Sequence, residues 1–180
     1  RKNTLIIFAS DNGAAIQAPI KILNCNAGFK GRKGTLYEGG IRVPFIVNQP
    51  GMVPIQTLDN LIYFPDMMPT LAALAKGTKH LPKQINGINI LPLFYGKQVD
   101  TDNRLLYWEF PGKQRAARKG DWKCVTIHPN QPLELYNLKE DPEETNNLAK
   151  KYPRRVKEFD EEMQRMHIPT PNWPQPGEQF

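Results

Sequence analysis

The stretch TLIIFASDNG, residues 4–13, decides how the first part of the chain folds. Residues 4–9 form a short, continuous apolar run with β-branched content, which predicts a fully buried strand of the kind found in parallel sheets. Asp11 and Asn12 follow this run, and at the carboxyl end of a parallel strand such side chains face the crevice where α/β proteins bind ligands. Both provide oxygen atoms of the kind that Ca²⁺ and Mg²⁺ prefer. Taken alone, Asp-Asn-Gly is more often a turn than a site.

The rest of the first hundred residues reads as the end of an α/β domain, and we assign residues 1–100 to it. Helical spacing, a tolerated proline in the first turn and a glycine after the last turn predict one helix. The predicted elements, in order, are a long loop over 14–40, a strand over 41–47, a helix over 66–75 and a loop over 76–103.

The chain changes character near Thr101, and residues 101–180 are predicted to form a C-terminal subdomain. Short apolar segments alternate with Pro-Gly, Lys-Gly-Asp and His-Pro-Asn turns, which is typical of a small antiparallel sheet. An amphipathic helix over 153–167 is expected to cover one side of that sheet. The four predicted strands span residues 105–110, 115–118, 122–127 and 133–136.

The composition excludes several classes of protein. Charged residues are 23% and hydrophobic residues 39% of the 180, which is the balance of a globular chain and not of a disordered one. No apolar stretch approaches the length of a membrane span, and no signal peptide is visible. The two cysteines, Cys25 and Cys124, are too few for a disulfide framework or a zinc site, so free thiols are predicted, with a single bridge as the alternative.

The positive charge is concentrated at the start of the chain. Residues 1–44 hold seven Lys or Arg against two acidic residues, whereas the remaining residues are nearly balanced. A cationic cluster beside a candidate metal site suits an anionic ligand, although a charge run alone is usually a solvated face. Only Phe29 and Tyr37 are interleaved with the cluster, which argues against a single-stranded nucleic-acid site.

A second motif, GFKGRKGTLYEGGIRVP, spans residues 28–44. Its Lys33 precedes a glycine in a glycine-rich loop, where the backbone can approach a ligand closely and an ammonium group can reach an anion. Glu38 precedes two glycines and Arg42 follows them. The order of this motif after the Asp-Asn pair is far more specific than either piece alone.

These residues resemble the sulfatases of the alkaline-phosphatase-like superfamily. The similarity runs in order through SDNG, KGTLYEGGIRVPFIV, QPG, RAARKGDWK and LYNLKEDPEETNNL, from about Thr4 to His167. The resemblance implies the end of an α/β sulfatase domain followed by a small antiparallel sheet packed with a C-terminal helix. It also implies a sulfuric ester hydrolase.

The resemblance assigns roles to three residues. Asp11 and Asn12 match the pair that binds a divalent cation, usually Ca²⁺ and less often Mg²⁺, and Lys33 matches the lysine that contacts the sulfate group. A cation and an ammonium group would stabilise the negative charge of a sulfate ester in its transition state. Glu38 and Arg42 match motif positions too, and we expect them to form an internal ion pair or shape the loop.

The sequence departs from the family in one respect. Active members carry a formylglycine nucleophile made within Cys/Ser-x-Pro-x-Arg, and neither cysteine begins such a motif here. The family's other catalytic groups precede the Asp-Asn strand, so this chain is expected to be a C-terminal portion that lacks its N-terminal partner segment. Alone it is expected to be inactive.

The resemblance also implies a sulfate ester substrate, with a sulfated glycan as a candidate, and a periplasmic, secreted or lysosomal location. Two other functions remain open: a phosphonate or phosphate monoester hydrolase of the same superfamily, and a non-enzymatic basic module that binds a sulfated polymer. The C-terminal subdomain can border the cleft in related enzymes, so Trp108, Glu109 and Arg115 are weaker candidates for substrate contact. No catalytic role is predicted for the three histidines.

Overall fold

The computed structural model describes residues 3–110, 114–128, 130–172 and 174, without the side chains of residues 20 and 21. The chain forms two compact units. One consists of Arg1–Ala9 and Phe45–Arg104, and the other of Ser10–Pro44 and Leu105–Phe180. The predicted site loop therefore belongs to the same unit as the C-terminal sheet. The domain boundary predicted at residue 100 stays a prediction.

The first unit contains a two-stranded antiparallel sheet. Strand β1, Ile6–Ala9, pairs with β2, Phe45–Asn48, so that Ile6 lies opposite Asn48. The prediction of a fully buried strand of the parallel type was wrong. Side chains alternate along a strand, so Ile7 joins the core whereas Ile6 and Phe8 are 52% and 62% exposed.

The core of the first unit lies between this sheet and two helices. Helix α3, Met67–Leu74, follows a 3₁₀ turn over Phe64–Asp66, which confirms the predicted helix to within one residue at each end. A second 3₁₀ turn spans Thr78–His80, and helix α4, Leu91–Phe94, interrupts the predicted loop. The fully buried side chain at its centre is Ile90.

Asp66 connects several segments of the first unit through hydrogen bonds and an ion pair. Its buried carboxylate accepts hydrogen bonds from the backbone N–H groups of Tyr63 and Ile88. Both terminal nitrogens of Arg104 bind the same carboxylate, at 2.5 and 2.6 Å. This bidentate ion pair joins the start of α3 to the last residue of the unit.

The second unit contains the predicted four-stranded antiparallel sheet, with its strands in sequence order. Each predicted strand is confirmed to within one residue at either end. The observed strands are β3, Leu105–Phe110, β4, Gln114–Lys119, β5, Trp122–Thr126, and β6, Glu134–Asn137.

Both faces of this sheet are covered. Helix α5, Pro153–Met166, packs Phe159 and Met163 onto Cys124 and its neighbours, as the amphipathic pattern predicted. On the other face, Leu36 and Tyr37 pack against the sheet and contribute to a second cluster. The central strands are therefore buried on both sides.

The segment predicted as a long loop contains two helical turns, α1, Ile20–Leu23, and α2, Glu38–Ile41. The strand predicted over 41–47 therefore starts later, at Phe45, because Glu-Gly-Gly-Ile forms a helical turn first. Within the described part of the chain, no helix combines the length and apolar character that a bilayer span requires. Two residues of the basic cluster, Arg1 and Lys2, lie outside the described residues.

Candidate functional site

The turn that carries the Asp-Asn pair is fixed by short-range hydrogen bonds. The Ser10 hydroxyl donates to the backbone oxygen of Asn12 at 2.8 Å. The Asn12 amide nitrogen donates to the Asp11 carboxylate at 3.0 Å. These bonds hold the two side chains next to each other and leave the amide oxygen of Asn12 free of this contact.

The turn is bound to α2 through glycines. The backbone N–H of Gly13 donates to the Gly40 carbonyl at 2.9 Å, and a Cβ at Gly13 would lie 1.8 Å from the Gly39 oxygen. Gly39 in turn donates its N–H to the Lys30 carbonyl at 2.7 Å. The backbones approach so closely that only glycine fits at Gly13.

Lys33 is attached to the same turn. Its backbone N–H donates to the Ala14 carbonyl at 2.9 Å, two residues beyond Asn12. The lysine loop and the Asp-Asn turn are therefore joined directly, and α2 supports both. The sequence placed them 21 residues apart, and the fold brings them together.

Both segments line a cleft of about 500 Å³ within the second unit. Asn12 and Lys33 lie on its wall, together with Phe29 and Arg42. The other lining residues are mostly small or polar: Ser10, Gly13, Ala14, Ala15, Cys25, Asn26, Ala27, Gly39, Val43 and Pro44. A concave site with a few convergent polar and cationic groups is typical of a small-molecule site.

The donor set at the turn fits a hard divalent cation in part. Asp11 is exposed and Asn12 half-buried, and together they present carboxylate and amide oxygens from adjacent residues. Ca²⁺ takes six to eight oxygen ligands, more than this pair supplies. Among the described residues, no cluster of three or more Asp, Glu, His or Cys provides a complete metal site.

A buried charge cluster lies under α2. The Nζ atom of Lys123, on β5, is 2.9 Å from carboxylate oxygens of both Glu38 and Glu144. All three side chains are almost fully buried. A carboxylate oxygen of Glu144 also accepts the backbone N–H of Glu38 at 2.6 Å, which caps the first turn of α2.

Two arginines complete the cluster at longer distances. Arg118 and Arg42 place guanidinium nitrogens 3.7 and 3.8 Å from Glu38. Burial raises the pKa of the Glu144 carboxyl, and the charge of Lys123 opposes that shift. The expected ion pair of Glu38 with Arg42 is therefore present, but Lys123 is the closer partner. The only signal for Lys123 in the sequence is a lysine inside an apolar strand.

Lys30 takes part in a second cluster, with Tyr37, Tyr136 and Glu134. Its Nζ atom lies 4.0 Å from the ring centre of Tyr37 and donates to the Tyr136 hydroxyl at 2.9 Å. Both tyrosines donate to Glu134, at 2.7 and 2.6 Å. Burial would raise the pKa of Glu134, but these hydrogen bonds and the charge of Lys30 outweigh it, so this pKa lies below its ordinary value.

The weaker substrate candidates have other partners. The Glu109 carboxylate is hydrogen-bonded to Tyr107 and lies against the ring of His167. Arg115 reaches Asp160 on α5 at 3.4 Å, and Trp108 packs against the core. The cleft is lined by residues between 10 and 44, so the substrate roles suggested for these three stay predictions without support from its lining.

Both cysteines are free thiols, as predicted. Cys25 is exposed and contributes to the wall of the cleft. Cys124 is buried in the C-terminal sheet, and this burial raises the pKa of its thiol to about 12. Cys124 is therefore a packing residue that stays protonated.

Comparison with known proteins decides the family. Residues 29–168 match the family described as N-sulphoglucosamine sulphohydrolase, C-terminal, a range that covers most of the chain. The chain belongs to this sulfatase family. The matched range includes Lys33, α2 and the whole C-terminal sheet, and it starts after the Asp-Asn turn.

This chain is also similar to curated proteins named as sulfatases. A sulfatase from Formosa agariphila is 32% identical over 84% of the chain, and human arylsulfatase A is 30% identical over 82%. An N-acetylgalactosamine-6-O-sulfatase from Bacteroides thetaiotaomicron is 30% identical over 88%. The chain spans only 30%, 34% and 35% of these three proteins, respectively.

Solved structures confirm the fold class. A sulfatase structure from work on glycosaminoglycan metabolism by Bacteroides thetaiotaomicron is 29% identical, with a TM-score of 0.77 over 91% of the chain and 38% of its own length. A structure solved with a neocarrahexaose is 26% identical, with a TM-score of 0.76 over 98% of the chain and 39% of its own length. The sulfatase chain therefore has the predicted α/β fold with a C-terminal antiparallel sheet and helix.

Proposed function

We propose that this chain supplies the metal-binding turn and the sulfate-binding lysine of a sulfuric ester hydrolase. One observation carries the proposal: Asn12 and Lys33 lie on the wall of one cleft, and the loops that bear them are hydrogen-bonded to each other. In this proposal Asp11 and Asn12 bind Ca²⁺ in preference to Mg²⁺, because both offer hard oxygen ligands and Ca²⁺ accepts less regular ligand geometry than Mg²⁺ does.

The proposed chemistry depends on positive groups that stabilise the negative charge of the sulfate ester. A sulfate ester gathers negative charge on its oxygens as the ester bond breaks, and Lys33 would stabilise that charge from the wall of the cleft. A bound divalent cation would be a second positive group that stabilises the negative charge on these oxygens. The exposed Lys33 ammonium has room to reach the ligand, because its loop is fixed through the backbone and not through its side chain.

The nucleophile is outside this sequence. Neither cysteine, nor the one serine, Ser10, begins a Cys/Ser-x-Pro-x-Arg motif, so we propose that the formylglycine comes from another part of the protein. The 180-residue chain alone is therefore expected not to hydrolyse an aryl sulfate. Turnover by the purified chain that survives a second purification would contradict this division of the site.

We further propose a sulfated glycan as the substrate and an exported or lysosomal location. Relatives support the substrate class, since one is named N-acetylgalactosamine-6-O-sulfatase and another was solved in complex with a neocarrahexaose. The cationic wall of the cleft, formed by Lys33 and Arg42, suits such an anionic ligand.

The metal site can be tested on the chain itself. Titration of Ca²⁺ should shift the backbone amide resonances of Asn12 and Gly13, with an affinity on the order of millimolar because this chain provides few ligands. Asp11→Asn should weaken that binding by about tenfold, since the variant loses the carboxylate charge.

Asp59→Asn is the matched control, because Asp59 is an exposed carboxylate outside the cleft. The control should bind Ca²⁺ as the unmodified chain does. If Ca²⁺ shifts only other resonances, or if Asp11→Asn behaves as the control does, the assignment of the metal to this turn is wrong.

A further inference from the structure

We infer that Arg42, stacked on the ring of Phe29, is a second anion-binding group of the cleft. It selects ligands that carry two acidic groups, one bound at Lys33 and the other at Arg42. This inference rests on the proposed function, and it adds a specificity-determining residue to it. The ligand class is a sugar with two sulfates, or with one sulfate and one carboxylate.

The geometry of Arg42 favours this role. Its guanidinium lies 4.8 Å from the ring centre of Phe29, and both residues line the cleft that contains Lys33. The side chain is 49% exposed. A guanidinium stacked on an aromatic ring keeps the donors along its edge available, and two of them match the oxygens of a sulfate or a carboxylate.

The charge of Arg42 is only weakly neutralised by the protein. Its ion-pair partner is Glu38, at 3.8 Å. That carboxylate is bound more closely by Lys123, at 2.9 Å, and also by Arg118, at 3.7 Å. Three cationic groups thus share two carboxylates, those of Glu38 and Glu144, and the most exposed of the three faces the cleft.

The neighbouring cations differ from Arg42 in position. Lys30 is held between Tyr37 and Tyr136 and hydrogen-bonded there. Arg32 is exposed on the lysine loop but does not belong to the lining of the cleft. Arg32 therefore provides a control that removes the same charge from the same segment without changing the wall of the site.

The cleft also offers neutral groups for a sugar. Its volume of about 500 Å³ falls within the range of small-molecule sites. Asn26 lies on its wall, and the side-chain oxygen of Asn26 is buried with no hydrogen-bond donor among the described residues. Its amide nitrogen donates to the Phe29 carbonyl at 2.6 Å, which fixes the Asn26 side chain next to the residue that supports Arg42.

The test compares two probes, N-acetylglucosamine 6-sulfate and glucosamine 2-N,6-O-disulfate, titrated into the 180-residue chain and followed by amide chemical shifts. The unmodified chain should bind the disulfate about tenfold more tightly, the gain expected from one more charge-assisted hydrogen bond. Arg42→Gln should abolish that difference, because it should weaken binding of the disulfate far more than binding of the monosulfate. Arg42→Lys should retain part of the affinity difference between the two probes, and Arg32→Gln should retain all of it.

The outcomes separate this inference from the proposed function. Lys33→Met should weaken binding of both probes, which tests the sulfate site itself. Suppose that Lys33→Met has that effect, but that Arg42→Gln either lowers both affinities by the same factor or changes neither affinity. The role of Arg42 is then overturned while the sulfate site stands. If the unmodified chain binds neither probe, or if Lys33→Met changes neither affinity, the proposed site and this inference both fail.

Discussion

Lys123 is a fully buried lysine between two carboxylates, and it joins β5 to the helical turn that supports the candidate site. A buried ion pair contributes little net stability relative to an apolar replacement of the whole cluster, because desolvation offsets the attraction. Removal of one partner is different, since it leaves the other charges buried and unpaired. The loss of Lys123 would leave Glu144 without the ammonium group that it binds, and Glu38 with its longer contacts to Arg118 and Arg42.

Lys123→Met should therefore lower the free energy of unfolding by about 3–5 kcal/mol, measured by urea denaturation at pH 7. Burial already raises the pKa of Glu144, and without Lys123 it would rise further. A carboxyl whose folded pKa is raised takes up a proton more readily in the folded state. The deficit should therefore shrink as the pH falls toward the ordinary value of 4.5.

Lys119→Met is the control, because Lys119 is exposed on the neighbouring strand β4, and it should stay within about 0.5 kcal/mol of the unmodified chain. The double variant Lys123→Met with Glu144→Gln should recover part of the loss, since the amide oxygen can still accept the N–H of Glu38. Equal stability of Lys123→Met and Lys119→Met would refute the role of the cluster.

The sequence predicts some of these residues and misses others for a physical reason. Asp11, Asn12 and Lys33 stand in motifs whose residue types already suit a cation and an anion. Lys123 and Glu144 are 21 residues apart and meet Glu38 only when the sheet has formed. A single buried lysine within an apolar strand indicates a partner, but not which carboxylate will supply it.

At the scale of elements, the candidate site depends on close packing between the Asp-Asn turn and α2. Gly13 donates its N–H to Gly40, and the carbonyl of Gly39 occupies the space where a side chain on Gly13 would begin. Neither backbone can yield easily, because Gly39 is itself enclosed by the carbonyl oxygens of Phe29, Lys30 and Gly31. The contact therefore fixes where Asn12 lies.

Gly13→Ala should force the turn and α2 apart, since its Cβ would lie 1.8 Å from a backbone oxygen. We expect a loss of about 1–3 kcal/mol in unfolding free energy and faster hydrogen exchange at residue 13. Gly77→Ala is the control, because Gly77 has a φ of −106° and its Cβ would meet its nearest neighbour at 3.8 Å. A Gly13→Ala chain with unchanged melting temperature and exchange would show that the packing is looser than described.

The elements were predicted best where local pattern and tertiary environment agree. Strands β3–β6 are separated by turn signals and helix α5 repeats apolar residues at helical spacing, so their positions follow from sequence. The apolar run over 4–9 correctly predicted a strand, but its full burial and parallel type were predicted wrongly. A continuous apolar run does not reveal which strand pairs with it. The turn α2 was missed because Gly-Gly has low helix propensity, and tertiary contacts override it.

At the scale of the whole molecule, the chain accounts for part of the proposed site and not all of it. It belongs to a sulfatase family, spans about a third of the curated relatives compared above, and places Asn12, Lys33 and Arg42 on the wall of a single cleft. The central claim is that this cleft binds the sulfate group of a substrate through Lys33. A phosphate or phosphonate monoester would present the same tetrahedral anion, so the two activities must be compared directly.

The decisive measurement is hydrolysis of an aryl sulfate and of the matching aryl phosphate by the full-length protein that contains this chain. We predict a higher kcat/KM for the sulfate, a fall of about 100- to 1,000-fold for Lys33→Met, and a change within about twofold for Arg32→Met. A higher kcat/KM for the phosphate would assign the protein to the phosphate monoester hydrolases. Equal rates for Lys33→Met and Arg32→Met would contradict the central claim.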